Sequence, residues 1–336
     1  MAYEPYPSGN ELPNLVNVTK RLDPDGSVAD IAELLTQYNP ILEDIPLVEG
    51  NLPTGHRTTV RAGIPEPTWR RLNYGVFPTK SATAQVDDTI GMLEDYAEID
   101  KDLAMLNGNT AEFRLSEDSS HLEGMSNGMA DTLFYGDTEV NPDRFLGLTP
   151  RYAALDGNQV AGKPTAEVNS NYLKHIVDGG GLVGASGVSL TSLWYICWGS
   201  NKVHGIYPKG SKAGLMSSDL GEQTLNDNRG GQFQGYRTHY QWKMGLCVRD
   251  WRCIVRIPNI DLALMKTADN QTWLYEAMIQ ARYTVPRGSN GIFYGNAAIL
   301  AMLDFAAVQK SNAALTFQNV FGQDMLTFRG TPVKEC

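Results

Sequence analysis

A stripe of apolar residues at helical spacing runs through the segment Thr110–Tyr135. Successive members are three, four or seven residues apart, over Leu115, Leu122, Met125, Met129 and Leu133. This spacing keeps them on one face of an α-helix, and the glycine that follows, Gly136, is typical of a helix C-terminus. Because Gly124 and Gly128 lower the helix propensity, we expect the helix to depend on packing for its stability.

A long β-hairpin is predicted upstream of this helix. Two segments rich in β-branched and aromatic residues, His56–Ile64 and Leu72–Val86, flank a proline-containing tip at Pro65–Trp69. A two-stranded hairpin is at best marginally stable alone in water, so we expect it to pack on its own domain or on a neighbouring molecule. Further along, alternating apolar and polar residues predict one long strand over Lys243–Ile257.

The rest of the chain mixes helices with short strands and shows no internal repeat. Helical spacing predicts helices at Val28–Gln37, Thr89–Leu106, Ala166–Val177, Trp273–Val285 and Asn296–Lys310. Apolar runs predict strands at Val188–Trp198, at Val203–Tyr207 and within Ala314–Val333. The glycine- and charge-rich residues 208–235 predict a loop region. Because helices and strands do not alternate regularly, the predicted fold class is α+β.

The composition is that of a globular protein. The chain has 336 residues, of which 42% are hydrophobic and 20% charged, enough for about two domains or one elaborated domain. No apolar run reaches the ~18 residues of a membrane span, and the first ten residues lack the segments of a signal peptide. The cysteines form no CxxC pair and are expected to be free thiols in a reducing cytoplasm, at positions Cys197, Cys247, Cys253 and Cys336.

The charge is negative overall but unevenly distributed. A net charge of -10 argues against a dedicated DNA-binding protein, because phosphate contacts need concentrated lysine and arginine. Residues 51–80 carry five basic residues against one acidic residue, whereas residues 87–118 carry two basic against ten acidic. One interpretation is that the basic block docks onto the acidic block of another copy of the chain. The alternative is two solvated faces that have no relation to each other.

Under the docking interpretation, specific side chains are predicted to make the contact between subunits. Arginine, tryptophan and tyrosine are enriched where interface energy concentrates. On the hairpin they are Arg57, Arg61, Trp69, Arg70, Arg71 and Tyr74. The acidic residues predicted to receive them are Glu94, Asp95, Glu98, Glu117 and Asp118.

Two glycine-rich motifs lack the surroundings that nucleotide chemistry requires. Gly179–Gly184 matches GxGxxG, but a predicted helix precedes it and a strand-like run follows, the reverse of a dinucleotide site. Gly157–Lys163 matches GxxxxGK, but Pro164 stands where a serine or threonine must hold magnesium. The five histidines form no HxxxH or HExxH pattern, and no GxSxG is present. No catalytic, cofactor-binding or metal-binding residue is therefore predicted, and the protein is predicted not to be an enzyme.

Six long segments carry a resemblance to a known family. They are TWRRLNYG (Thr68–Gly75), LNGNTAEFRLSED (Leu106–Asp118), TLFYGD (Thr132–Asp137), WGSNKVHGIYPKGSKAGL (Trp198–Leu215), YRTHYQWKMGLCVRDWRCIVRIPNID (Tyr236–Asp261) and FRGTPV (Phe328–Val333). With the order of predicted elements, they resemble the major capsid proteins of tailed double-stranded DNA bacteriophages, which have the Hong Kong 97-type fold. Within that group the chain is most similar to podovirus-type proteins of similar length.

The resemblance implies a division of the chain. Residues 1–49 would form an N-terminal arm and a short helix, and residues 50–85 the E-loop, which reaches across a neighbouring subunit. Residues 86–154 and 243–267 would form the P-domain with a spine helix at about 110–135, and 326–336 would complete it. Residues 155–242 and 268–325 would form the A-domain, whose tips meet around fivefold and sixfold axes.

The resemblance also implies function and partners. It implies a coat protein without cofactor that self-assembles, as hexamers and pentamers, into an icosahedral shell enclosing double-stranded DNA without sequence-specific binding. The shell would assemble in the host bacterial cytoplasm and belong to the virion, with no membrane and with a decoration or cement protein, a scaffold and a portal as further partners. Two alternatives stay open: an encapsulin-like protein compartment of the same fold, and a nucleotide-dependent enzyme using Gly157–Lys163 or Gly179–Gly184.

Overall fold

The computed structural model describes residues 39–63, 65–105, 110–153, 175–178, 190–226, 231–262, 268–308, 315–320 and 323–336. Their helices are α1 (Pro40–Asp44), α2 (Lys101–Met105), α3 (Thr110–Tyr135), α4 (Leu148–Arg151), α5 (Ala268–Thr284) and α6 (Ala297–Val308). Their strands are β1 (Leu47–Glu49), β2 (Gly55–Gly63), β3 (Ala82–Thr89), β4 (Gly91–Asp100), β5 (Leu190–Ile196), β6 (Val203–Tyr207), β7 (Leu215–Asn226), β8 (Gln232–Val248), β9 (Ile254–Asp261), β10 (Ile292–Gly295), β11 (Leu315–Val320), β12 (Gln323–Phe328) and β13 (Thr331–Glu335).

These residues fall into two compact units. The first unit contains Met92–Met129 and Gly214–Lys243, and the second contains Tyr38–Gly91, Ala130–Ala213 and Met244–Cys336. Among the described residues, no helix is long and apolar enough to cross a membrane. All four cysteines are free thiols, as predicted, and three of them are buried.

In the first unit, helix α3 packs against strands. Strand β7 pairs antiparallel with β8 from Leu215↔Trp242 to Asn226↔Gln232. Two clusters of buried residues hold the helix on β4 and β8; one consists of Ala97, Met125 and Tyr240, and the other of Ile99, Ala104 and Phe113. The predicted helix at Thr110–Tyr135 is confirmed with the same bounds.

Two predictions in this unit are wrong. The segment Thr89–Leu106 was predicted to be helical, but it forms strand β4 followed by the short helix α2. In β4 the odd-numbered residues face inward, ending at Ala97 and Ile99, while the even-numbered ones lie toward solvent, so a period of two organises the segment. Residues 208–235 were predicted to be loop, but they contain β7 and the start of β8. Most residues of β7 are polar and exposed, so the sequence there lacks an apolar face.

Besides the hairpin strands β2 and β3, the described part of the second unit contains strands of two larger sheets and the two C-terminal helices. In one sheet β1 runs parallel to β6, and β6 runs antiparallel to the end of β8. The other is six-stranded, in the order β11-β12-β13-β10-β5-β9. Its fully buried residues include Leu193, Ile196, Ile254, Ile257, Phe293 and Phe328. Helices α5 and α6 confirm the predicted C-terminal helices, and β5, β6 and β11–β13 confirm the predicted strands.

The long strand predicted at Lys243–Ile257 is interrupted. Strand β8 ends at Val248, a 3₁₀ turn occupies Trp251–Cys253, and β9 starts at Ile254. The Asp250 side chain accepts a hydrogen bond from the Arg252 N–H, which caps the turn. The predicted helix Val28–Gln37, most of the predicted helix Ala166–Val177, and both glycine-rich motifs lie outside the described residues.

Candidate inter-subunit surface

The predicted hairpin forms, with a shorter stem than expected. Strands β2 and β3 pair antiparallel from Gly55↔Thr89 to Gly63↔Ala82, with an irregularity near Arg61. We call these paired strands the hairpin stem and residues 65–81 the hairpin tip. The hairpin tip contains neither helix nor strand, so no sheet orders its side chains.

The hairpin tip presents large apolar side chains to solvent. Trp69 is 103% exposed, Phe77 90%, Leu72 85% and Tyr74 66%. A turn positions them: the Tyr74 N–H donates to the Arg71 carbonyl oxygen at 3.1 Å, and Asn73 has a φ of 68°. A positive φ at the third position is characteristic of a type II turn, where asparagine is tolerated. Exposed apolar side chains that lie close together are typical of interaction sites.

The six predicted basic and aromatic residues divide between the hairpin tip and the hairpin stem. Trp69, Arg70, Arg71 and Tyr74 lie together on the tip, and all are exposed. Arg57 lies in the stem and donates two hydrogen bonds to its cross-strand neighbour Asp87, at 2.6 and 2.7 Å. This hydrogen bonding lowers the pKa of Asp87 and raises that of Arg57. Arg61 lies opposite Thr83, and its side chain is outside the described residues.

The predicted acidic residues do not share one face. Glu94 and Glu98 lie on the outer face of β4, beside residues of β8: Gln241 donates to Glu94, and Arg237 Nε lies 2.9 Å from a Glu98 carboxylate oxygen. Asp95 points to the opposite face, where its Oδ2 lies 2.6 Å from His121 Nδ1 of α3. The alternation of a β-strand separates these neighbours in sequence.

The two remaining acidic residues belong to helix α3. Glu117 is buried, with 7% of its surface exposed. Asp118 is half-buried against Tyr240, and burial raises its pKa although the Tyr240 hydroxyl and Arg114 oppose the shift. Of the five acidic residues, Glu94 and Glu98 are therefore the ones on the outer face of the sheet in the first unit. If one acidic face receives the basic block, only Glu94 and Glu98 of the five predicted residues can belong to it.

A buried ion pair that the sequence did not predict lies at the base of the hairpin stem. Arg151 donates to an Asp88 carboxylate oxygen at 2.7 Å, and the two side chains are 8% and 2% exposed. The same guanidinium lies within 3.3 Å of the Leu246 carbonyl oxygen. Asp88 was counted as part of the acidic block, and nothing in the sequence separates it from the exposed Asp87. A cavity of about 350 Å³ lies beside this pair, between the stem and residues 138–151.

One group of side chains could hold a metal ion. The ligand atoms of His56, His204 and Cys247 all lie within 4.8 Å of one another in the second unit. No sequence pattern predicted this group, because its members are separated by 148 and 43 residues. No motif spacing connects them.

Comparison with known proteins identifies relatives over nearly the whole chain. Residues 23–336 match the family model of the major capsid protein GP7. A chain in the near-atomic structure of bacteriophage Epsilon15 is 34% identical, with a TM-score of 0.71 over 97% of this chain and 95% of that chain. The capsid of bacteriophage JBD30 is 8% identical, with a TM-score of 0.51 over 91% of this chain and 93% of that chain, and shows the same fold. No curated protein sequence matches the chain significantly.

Proposed function

The chain belongs to the family of the major capsid protein GP7 and is a bacteriophage coat protein with the Hong Kong 97-type fold, and from this we propose that its hairpin tip fastens each subunit to a neighbouring copy in an icosahedral shell around double-stranded DNA. The observation that carries the proposal is the exposure of Trp69, Leu72 and Phe77 on the tip. Apolar side chains so exposed are stabilised when another surface covers them.

The apolar residues of the tip account for more of the proposed contact energy than its charges. Burying one large apolar side chain contributes roughly 1.5–3 kcal/mol, whereas an exposed ion pair contributes only about 0–1 kcal/mol. Trp69 and Phe77 are therefore the expected anchors. Arg70 and Arg71 select the docking site by their charge. The outer-face residues Glu94 and Glu98 are the acidic partners that fit this role, although each already has neighbours on β8.

The proposed division of the chain follows the family pattern. Residues 50–85 act as the E-loop and helix α3 as the spine of the P-domain. Residues 155–242 and 268–325, with the helices α5 and α6, form the A-domain around the symmetry axes. The net charge of -10 supports a container whose lining does not hold phosphate groups. A scaffold, a portal and a decoration protein complete the set of proposed partners, and host cytoplasm is the proposed place of assembly.

The alternatives have less support. Membership in a structural capsid family supports a non-enzymatic role, and it favours a phage capsid over an encapsulin-like compartment. Shells that contain double-stranded DNA when purified from infected cells fit the proposal. Shells that contain only protein cargo would favour the compartment.

The docking role of the tip is tested by a double substitution, Trp69→Ala with Phe77→Ala. We expect the purified variant to keep its circular dichroism spectrum but to form no closed shells by electron microscopy and light scattering. Tyr283→Ala is the matched control, because Tyr283 is an aromatic residue of helix α5 that is 79% exposed. Shells of normal diameter and yield from the tip variant would overturn the proposal.

A further inference from the structure

Two cross-strand residue pairs meet inside the second unit, where the hairpin stem lies beside strand β6. His56 of β2 lies directly opposite Asp88 of β3 in the stem. His204 of β6 lies directly opposite Cys247 of β8 in the neighbouring sheet. The ligand atoms of His56, His204 and Cys247 lie within 4.8 Å of one another, and the two imidazole rings meet edge to face at 5.9 Å. Three potential metal ligands therefore come from three strands of two sheets, and Asp88 lies across the stem from one of them.

The main evidence for a bound ligand is the environment of His204. Its side chain is 1% exposed, and neither ring nitrogen has a hydrogen-bond partner among the described residues. A buried polar group without a partner costs free energy, and native proteins rarely leave one unpaired. The backbone of Gly199 lies near the ring and raises the pKa of His204 slightly, but no hydrogen bond of acceptable geometry joins it to either ring nitrogen. A metal ion in the cluster would satisfy one of these nitrogens.

The other members of the cluster fit the same interpretation. Cys247 is fully buried, and the Asp88 carboxylate lies close enough to its thiol to raise the pKa of Cys247 further. Burial lowers the pKa of His204 and so keeps the ring in the neutral form that binds metals. Burial also raises the pKa of Cys247, so a metal has to displace the thiol proton.

Two features oppose binding and set its expected strength. The His56 Nδ1 accepts a 3.2 Å hydrogen bond from the Asn51 N–H, and ligation through that nitrogen would replace it. Arg151 and Arg249 add positive charge near the site, as their effect on the pKa of Cys247 shows. The Asp88 carboxylate and the thiolate offset this charge. We expect binding to be weaker than in sites made of four cysteines.

We propose that His56, His204 and Cys247 bind one zinc ion, which joins the base of the hairpin to the sheet of the second unit. Two imidazoles and one thiolate are ligands that zinc prefers, and a water or a carboxylate oxygen completes its tetrahedron. A two-stranded hairpin is marginal by itself. The metal therefore stabilises the hairpin stem where its connection to the sheet begins.

The test uses the full-length protein, purified without a histidine tag and dialysed against metal-free buffer. Cobalt(II) is added as a spectroscopic probe, and zinc is measured by mass spectrometry after re-dialysis. We expect one metal per chain, a thiolate-to-cobalt charge-transfer band in the near ultraviolet, and a higher unfolding temperature with zinc than without it. Absence of stoichiometric binding to the folded protein would overturn the proposal.

Substitutions distinguish this site from adventitious binding. Cys247→Ser should abolish the charge-transfer band, and His204→Gln should abolish stoichiometric metal. Cys197→Ser, at an equally buried cysteine outside the cluster, should leave both unchanged. His56 is half-buried, so His56→Asn is less prone to misfold than the variants of the fully buried residues. It should weaken the affinity for the metal by about tenfold or more, since even the loss of a group that only hydrogen-bonds to a ligand has an effect of that size. Metal binding that survives these substitutions would be adventitious and would contradict the proposal.

Discussion

Arg151 and Asp88 form a buried ion pair, 2.7 Å apart, that fixes the base of the hairpin stem to the chain that follows helix α3. Arg151 lies in the short helix α4, 63 residues beyond Asp88. The pair is surrounded by backbone acceptors, since the Leu146 and Leu246 carbonyl oxygens lie 3.4 and 3.3 Å from the guanidinium. The orientation of the hairpin therefore depends on a charge pair as well as on the strand pairing.

Replacing Arg151 by methionine should lower the free energy of unfolding by about 3–5 kcal/mol, because Asp88 would be left as an unpaired buried charge. Arg144→Met is the matched control. It breaks the exposed pair with Asp131 at 3.0 Å, and such pairs contribute about 0–1 kcal/mol. Urea unfolding of both variants, with a chelator present, measures the difference. Equal losses in the two variants would show that burial does not decide the strength of the pair.

The stability of the first unit should depend on Asp219 in acid. The hydrogen bond from Arg114, at 2.7 Å, lowers the pKa of Asp219 below the ordinary aspartate value of 3.8. A lowered pKa in the folded state gives a stabilisation that is fully present above pH 3.8 and is lost as the pH falls through the folded pKa. Asp219→Asn should therefore flatten this part of the profile of unfolding midpoint against pH. Asp219 is largely exposed, so the change should be about 0–1 kcal/mol.

Asp118, in the same unit, serves as a control because its effect on stability should depend on pH in the opposite direction. Burial raises its pKa above the ordinary aspartate value of 3.8, so the folded state holds the proton more tightly than the unfolded chain. Its contribution is present below pH 3.8 and is lost as the pH rises through the folded pKa. Asp118→Asn should make the protein relatively more stable at neutral pH than in acid. The same sign of change in both variants would contradict the assignment.

Two glycines of the α3 region should respond to alanine in opposite directions. A Cβ atom on Gly136 would lie 2.4 Å from the Phe145 carbonyl oxygen and 2.5 Å from that of Thr132, so backbone would have to move. Gly136→Ala should lower the free energy of unfolding by about 1–3 kcal/mol. A Cβ on Gly124 has nothing within 4 Å, so Gly124→Ala should raise it by about 0.5–1 kcal/mol. Thermal unfolding of both variants measures these changes. A lower unfolding temperature for Gly124→Ala would contradict the finding that the space around Gly124 is open.

Local patterns in the sequence predicted the long helix well, but not which of its residues are buried. The stripe from Leu115 to Leu133 gave the correct bounds, yet Leu115 is 69% exposed, and Phe113, outside the stripe, lies in the core. The segment of strand β4 was predicted to be a helix because it has apolar residues on both faces. Met92 and Tyr96 lie on the outer face, and together with the inward-facing apolar residues they produce a spacing that resembles that of a helix. Apolar residues on both faces of a strand obscure the period of two.

In the candidate site, too, residues that are adjacent in sequence could be predicted, whereas contacts between distant segments could not. The exposed tip residues Trp69 to Tyr74 were found because they are adjacent in sequence and of interface-forming types. The internal partners of Asp95 and Glu98 were not found, since they come from α3 and β8 and depend on strand register. Likewise, His204 and Cys247 become neighbours only through the pairing of β6 with β8. Contacts between distant segments are fixed by topology, which the sequence pattern does not specify.

Reversing the charge of the tip should block assembly while the subunit stays folded. Arg70→Glu with Arg71→Glu changes two exposed side chains that make no stem contact, so the folded chain should keep its unfolding midpoint. In the shell, the new carboxylates would face the acidic surface of a neighbour, and like charges at an interface disfavour docking. Sedimentation and electron microscopy measure the yield of shells. We expect assembly to fall to near zero at low salt and to recover partly at high salt, because salt screens exposed charges.

The control for this prediction makes the same change in net charge elsewhere. Lys209→Glu with Lys212→Glu alters two exposed residues that follow β6, and it should leave the shell yield close to that of the unmodified protein. A matching loss of assembly in this control would mean that overall charge, and not the position of the charges on the tip, opposes association. Normal assembly of the Arg70 and Arg71 variant would instead assign the contact to Trp69 and Phe77 alone, since apolar burial does not depend on the sign of neighbouring charges.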